Sequence, residues 1–319
     1  TRPIGTVKIG KKAAEILEEA RAVADGVPLE WLDEETEEFV ERWFADPQRA
    51  DLARLASILH GRVGATADVC RVALSRTIIT KDRGASLARD VSHSRPHRAW
   101  DTNDYDVFAG FERAVSFILR RLRENPPPGG ASVRLGDARD LDLPAESVDA
   151  VVTSPPYLNA IDYLRGHRMS LVWLGHTIGE LRAVRADEIG AERGLKEEPD
   201  LDHALAHMGE VDRLPASTVR VIKRFVVDLR TLLGSIHRVV KPGGRVVVVI
   251  GNCSIRGVFL KNDVAVEDAA VAAGFRLDHR TERELPENRR YLPPPSSGTS
   301  DLKQRMRTET VLYFDRPNP

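Results

Sequence analysis

The chain reads as an α/β protein, a buried sheet preceded by a largely helical region, and three observations predict it. Two long apolar stripes repeat at helical spacing: Val107, Phe108, Phe111, Val115, Ile118, Leu119 and Leu122, and then Val219, Ile222, Phe225, Val226, Leu229, Leu233 and Ile236. Two short apolar runs, Val148 to Val152 and Val246 to Ile250, end in turn-forming residues, as buried strands do. Between the helical and strand-bearing parts stands Asn125-Pro-Pro-Pro-Gly-Gly, a strong breaker. At 319 residues and 42% hydrophobic content, the chain can fill a sizeable core in one large domain or two ordinary ones.

Taken in order, Lys11 to Ala24 and Glu34 to Phe44 are charged amphipathic helices, and the 107–122 stripe starts near Asn103-Asp104. Residues 1–128 therefore form a mostly helical region, and 129–319 an α/β domain. Ala131 to Leu135 predicts a short strand, followed by Gly136-Asp137-Ala138-Arg139 and the charged loop Leu143 to Ser147. The strand 148–152 runs into Thr153-Ser154-Pro155-Pro156-Tyr157. After it come an amphipathic segment (Leu158 to Gly175), a charged stretch, 176–215, and the second striped helix. Lys241-Pro242-Gly243-Gly244 is a turn before the strand Arg245 to Ile250. A helix from Asn262 to Ala273, a short strand near Phe275, a Pro-rich loop and a strand from Thr310 to Phe314 close the chain.

The loop at 153–157 is the candidate active site. Two prolines cannot donate to a sheet ladder, so they stop the strand and leave the Ser154 hydroxyl and their own carbonyls facing the cleft beyond it. In open α/β sheets ligands bind at that carboxyl edge. The residue types suit methylation of an exocyclic amine on a base. Ser154 and the Pro155 carbonyl can accept the amine's hydrogens, Pro156 fixes the turn, and Tyr157 offers a face to a flipped-out ring.

On these residues the sequence resembles the amino-methyltransferases of DNA, whose loop is (Asp/Asn/Ser)-Pro-Pro-(Tyr/Phe/Trp). The order strand, Gly-Asp, loop, strand, Ser-Pro-Pro-Tyr, then helix, turn and strand matches over roughly residues 131 to 315. The resemblance implies a Rossmann-like class I methyltransferase sheet, S-adenosylmethionine as methyl donor, and DNA as substrate. The Ser form leans towards cytosine N4; adenine N6 and RNA amines stay open. It also implies that Asp137, with Ala138 beside it and Thr153 at the end of the motif strand, faces the donor. Asn159, Asp162, Tyr163, Asn252, Arg256 and Arg290 are expected to touch substrate. Residues 176–215 are expected to select the target or act as a lid.

One departure stands out. The family's donor turn, Phe-x-Gly-x-Gly after a first strand, is absent, and Phe108-Ala109-Gly110-Phe111 lies in a helical pattern and reads as core. Without the first two strands, the next would lack a sheet neighbour and leave a hydrophobic edge bare. The missing donor motif is read in three ways: the chain, which opens on Thr1, is a fragment whose donor-binding strands precede it, or half of a split enzyme completed by a second polypeptide, or a degenerate, non-catalytic binding subunit.

Other classes have less support. No apolar run approaches about 18 residues and no signal-peptide pattern occurs, so a membrane partner is not expected and the chain is expected to be cytoplasmic. Cys70 and Cys253 have no metal-ligand spacing, and neither follows a proline as the nucleophile of cytosine-carbon methylation does. His203 and His207 sit four apart with no third ligand, so no metal is expected. A net charge of −1 leaves nucleic-acid contact to local patches. Arg71 to Arg98 carries seven Lys/Arg against two Asp, and Arg276 to Arg307 carries eight basic residues against five acidic ones.

Overall fold

The computed structural model describes residues 5–80, 83–89, 97–158, 163–189, 201–285 and 308–318, a mixed α/β structure with a helical N-terminal part. The chain groups into two compact units, Thr1–Val133 with Asp162–Arg185, and Arg134–Ile161 with Ala186–Pro319. This differs from a simple division at 128/129, because the segment just after the Ser-Pro-Pro-Tyr loop returns to the helical unit. The charged stretch 176–215 is accordingly divided between the two.

The helical unit contains α1 (Thr6–Ala22), α2 (Glu34–Trp43), α3 (Asp46–Leu59), α4 (Ala65–Ile78), a two-residue ladder of β1 (Ala88–Arg89) with β2 (His97–Arg98), and α5 (Val107–Glu124). Later in the chain, α6 (Tyr163–Leu171) and α7 (Ile178–Ala186) follow. Asp33 caps α2 by accepting from the Thr36 N–H at 2.9 Å, and Asp106 caps α5 by accepting from Ala109. The cap thus lies two to three residues beyond the expected start at Asn103-Asp104. The stripe of α5 is the buried one: Val107, Phe111, Val115 and Leu119 enter a core with Phe44, Leu52, Leu74, Met169 and Trp173. Gly110 belongs to that packing, since a Cβ there would stand 2.1 Å from the Tyr105 hydroxyl.

The second unit is built on β3 (Val148–Thr153), α8 (Leu201–Met208), α9 (Ala216–Val239), β4 (Val240–Ile250), a hairpin of β5 (Cys253–Ile255) and β6 (Val258–Leu260), α10 (Asn262–Ala272), β7 (Arg276–Glu284) and β8 (Thr308–Asp315). The main sheet has the order β3-β4-β8-β7. Within it only β3 and β4 run parallel; β8 is antiparallel to both its neighbours. One face is closed: Val246, Val248, Leu312 and Phe314 pack in one cluster with Ile222, Phe225, Leu229 and Leu233 of α9 and Val266 of α10. The turn at Lys241-Pro242-Gly243-Gly244 is a bulge within β4. Val148 pairs with Val240 and Ala150 with Arg245, so four residues of β4 loop out opposite one of β3. Gly243 takes φ +73° there, and a Cβ on Gly244 would meet the Asp149 carbonyl at 2.9 Å.

Two expectations fail. Ala131 to Leu135 forms no strand: Val133 and Leu135 are 95% and 105% exposed. A strand needs a neighbour to take its N–H and C=O groups, and among the described residues none pairs with this segment, β3 being left as an edge strand. The strand near Phe275 is not short, running nine residues beside β8. Among the described residues no helix is long and apolar enough to cross a membrane.

Candidate active site

Thr153 ends β3 opposite Val248 of β4, and the two prolines that follow stop the ladder at the carboxyl end of this parallel pair. Ile250 at the end of β4 lies opposite Thr310 near the start of β8, so the ends of three strands meet at one edge. Pro155 is buried, Ser154 and Pro156 are exposed, and Tyr157 is half-buried. Leu158, buried in the core of this unit, anchors the far side of the loop.

A line of hydrogen bonds runs through the loop. Ser154 Oγ donates to Tyr157 Oη at 3.2 Å, and Tyr157 Oη donates to Glu309 Oε1 at 2.8 Å. The other Glu309 oxygen accepts from Arg283 Nε at 2.9 Å and Nη2 at 2.5 Å. Glu309 is buried, on the second residue of β8, and Arg283 lies opposite it on β7. Sequence reasoning missed both. The alternation in Thr308-Glu-Thr-Val-Leu-Tyr-Phe, which puts Glu309 on the face of Val311 and Tyr313, was the available signal.

No protein-family model matches the chain. A 159-residue alignment is 24% identical to the type II methyltransferase M.BsoBI of Geobacillus stearothermophilus, over 40% of this chain and 31% of that protein. Solved structures of a protein assigned as a DNA modification methylase in Thermus thermophilus are similar at 20% identity and TM-score 0.30, over 58% of this chain and 53% of theirs. One determined in complex with S-adenosyl-L-methionine gives 18% and 0.31 over the same shares. The chain thus spans about a third of the length of the curated relative and about half that of the solved chains. A TM-score that low carries no argument about fold.

The remaining site candidates are placed unevenly. Asp137 and Ala138 lie in the exposed chain before β3, not at the end of a strand. Arg139 grips the Asp137 carboxylate through Nε and Nη2, and its hydrogen bonds hold that carboxyl below its ordinary range. Arg139 also reaches the buried Asp228 of α9 at 3.2 Å, which Arg224 contacts at 2.9 Å. The link from Arg139 to Asp228 had no sequence signal, because the two are 89 residues apart. Asn252 spends its Oδ1 on the Asp263 N–H at the start of α10, and Arg256 sits at the exposed tip of the β5–β6 hairpin, outside the main sheet. Asn159, Asp162 and Arg290 lie outside the described residues, as does the side chain of Tyr163, which begins α6.

Among the described residues of the basic stretches, several are engaged at home. Arg71 pairs with Asp68, Arg76 lies 4.3 Å from the Phe117 ring centre, and Arg83 pairs with Asp104. In the second stretch Arg276 pairs with Asp315, and Arg280 with Glu267. Burial pushes the Cys70 and Cys253 thiols up to about 11, which leaves neither as a ready nucleophile. His203 and His207 stack edge to face at 4.4 Å, and among the described residues no group of three ligands could hold a metal.

Proposed function

We propose that this chain carries the amine-accepting half of an S-adenosylmethionine-dependent DNA methyltransferase, acting on the N4 amine of cytosine. The observation that carries the reading is the Ser154–Tyr157 loop at the carboxyl end of a parallel strand, with its hydroxyls linked to a buried carboxylate. Similarity to a type II methyltransferase supports it. An aromatic amine is a poor nucleophile because its lone pair is delocalised into the ring. Ser154 Oγ and the Pro155 carbonyl accept its two hydrogens and favour a tetrahedral nitrogen, whose lone pair is then available for attack. Tyr157 replaces the stacking lost when the base leaves the duplex. The N6 amine of adenine and an RNA amine fit the same loop and are the alternatives.

S-adenosylmethionine supplies the electrophilic methyl group in this reading, and the residues present fit it only in part. Asp137, Ala138 and Thr153 are its candidates, but the Asp137 carboxylate already serves Arg139, and the sequence has no Phe-x-Gly-x-Gly turn. The reading therefore treats the four strands as an incomplete Rossmann-like sheet. Its completion is a further polypeptide segment that pairs with the edge of β3, open among the described residues, and brings the glycine turn. The exposed Val152 on that strand, and Leu135 in the chain leading to it, favour such a cover. Residues 1–128 supply backbone contacts to DNA in this scheme, and 176–215 target selection.

Calorimetry with S-adenosylmethionine, on the chain alone and with the polypeptide encoded beside it, tests the scheme, followed by nucleoside analysis of treated duplex DNA and RNA. Donor binding only with the neighbour, and N4-methylcytosine in DNA, is the expected result. Donor binding by neither, with nucleic acid still retained, would replace it with a non-catalytic binding subunit.

A further inference from the structure

The hydrogen bonds at the loop have a direction, and that direction bears on catalysis. Glu309 is 8% exposed, and its two oxygens serve different neighbours. Oε2 accepts from Arg283, while Oε1 accepts from Tyr157 at 2.8 Å. A carboxylate held by a guanidinium has no proton to give, so the phenol must be the donor. With its single proton used there, the Tyr157 oxygen can only accept, and it accepts from the Ser154 hydroxyl at 3.2 Å. Ser154 has then spent its own proton inward. Both lone pairs of its Oγ are left for a ligand, and an exocyclic amine is a donor that needs them.

We propose that Glu309 is a positioning residue that orders this chain, so that Ser154 meets the target amine as a hydrogen-bond acceptor. Arg283 holds the carboxylate in place from β7. The inference rests on the amine-methylation reading and adds to it a residue 152 positions from the loop. It differs from a simple tether for the tyrosine ring, because a tether would work equally well with either end donating.

Glu309→Gln separates the two. Arg283 donates N–H groups towards residue 309, so it selects the carbonyl oxygen of the glutamine and turns the amide NH2 towards Tyr157. The phenol proton is then driven onto Ser154, whose hydroxyl proton faces the amine, with shape almost unchanged. In the full chain, supplied with its neighbour, Glu309→Gln should lower kcat about tenfold, the worth of one charge-assisted hydrogen bond, with KM for DNA within about twofold. Tyr157→Phe cuts the chain, so adding Glu309→Gln to it should cost less than about twofold more. The relay is also visible without turnover. In protein carrying ¹³C at tyrosine Cζ, the resonance missing from Tyr157→Phe should move in Glu309→Gln.

Undiminished kcat in Glu309→Gln, full additivity with Tyr157→Phe, or an unmoved resonance would each overturn the proposal. If the wild-type protein methylates no nucleic-acid amine, the amine reading falls by itself. The resonance then still decides whether Glu309 orders the hydroxyls, and without a shift the relay falls too.

Discussion

The helical unit and the sheet unit use similar apolar residues to different ends. In the helical unit Phe44, Phe111 and Trp173 are 0–2% exposed, sealed in a core made mostly by helices. In the sheet unit Val152 of β3 and Leu135, in the chain leading to it, stand 76% and 105% exposed. The difference lies in where backbone hydrogen bonds go. A helix satisfies its own N–H and C=O groups and needs only a neighbour for its apolar stripe, whereas a strand needs a second strand before it exists at all. Among the described residues the sheet therefore keeps an open edge at β3, a feature that a helical core does not have.

The largest effect that could break this contrast lies in the helical core. Phe111→Ala should lower stability by about 3–5 kcal/mol in urea unfolding. A loss below about 1 kcal/mol would mean that the core is looser than its burial implies.

Next in size is the site. Tyr157→Ala should reduce turnover by roughly tenfold to a hundredfold through lost base stacking, with donor affinity unchanged in calorimetry. An equal loss of donor affinity would remove the stacking role. Ser154→Ala should slow turnover about tenfold while DNA retention in a filter assay stays nearly intact.

A smaller effect comes from acid. Arg139 holds the Asp137 carboxyl below its ordinary value of 3.8, so on acidification the unfolded chain takes up that proton first. The pairing contributes fully above 3.8 and fades as pH falls through the lower, folded value. Asp137→Asn should flatten that part of the urea midpoint against pH; an unchanged curve would show that Arg139 stabilises nothing through this contact.

The smallest expected change is the sharpest test of the open edge. Val152→Lys should alter the stability of the chain alone by less than about 0.5 kcal/mol, since the side chain is already in solvent. The same substitution should abolish any stabilisation gained from the neighbouring polypeptide. A large loss in the chain alone would show that the edge is covered from within.

Much of this was legible in the letters. The stripes of α5 and α9, the strand runs of β3 and β4, and the stop at Pro155-Pro156 are local patterns, with period and breaker written in consecutive residues. The place of Ser154 and Tyr157 at the carboxyl end of a parallel strand followed from the same run. That Phe108 to Phe111 packs in a helix and is no donor turn could also be read, because the run lies in a helical pattern and lacks the second glycine; in the structure Gly110 makes room for Tyr105.

What the sequence by itself determined is the two striped helices, the strand runs of β3 and β4, and the loop that ends β3. Only the tertiary structure decided the partners: Glu309 and Arg283 for Tyr157, Asp228 for Arg139, the helical unit for residues 162–185, and no strand for Ala131 to Leu135. Periodicity reports which face of an element is apolar. It does not report which distant side chain arrives to complete a hydrogen bond, or whether a neighbouring strand is there to be paired, because both depend on groups brought together across long stretches of chain.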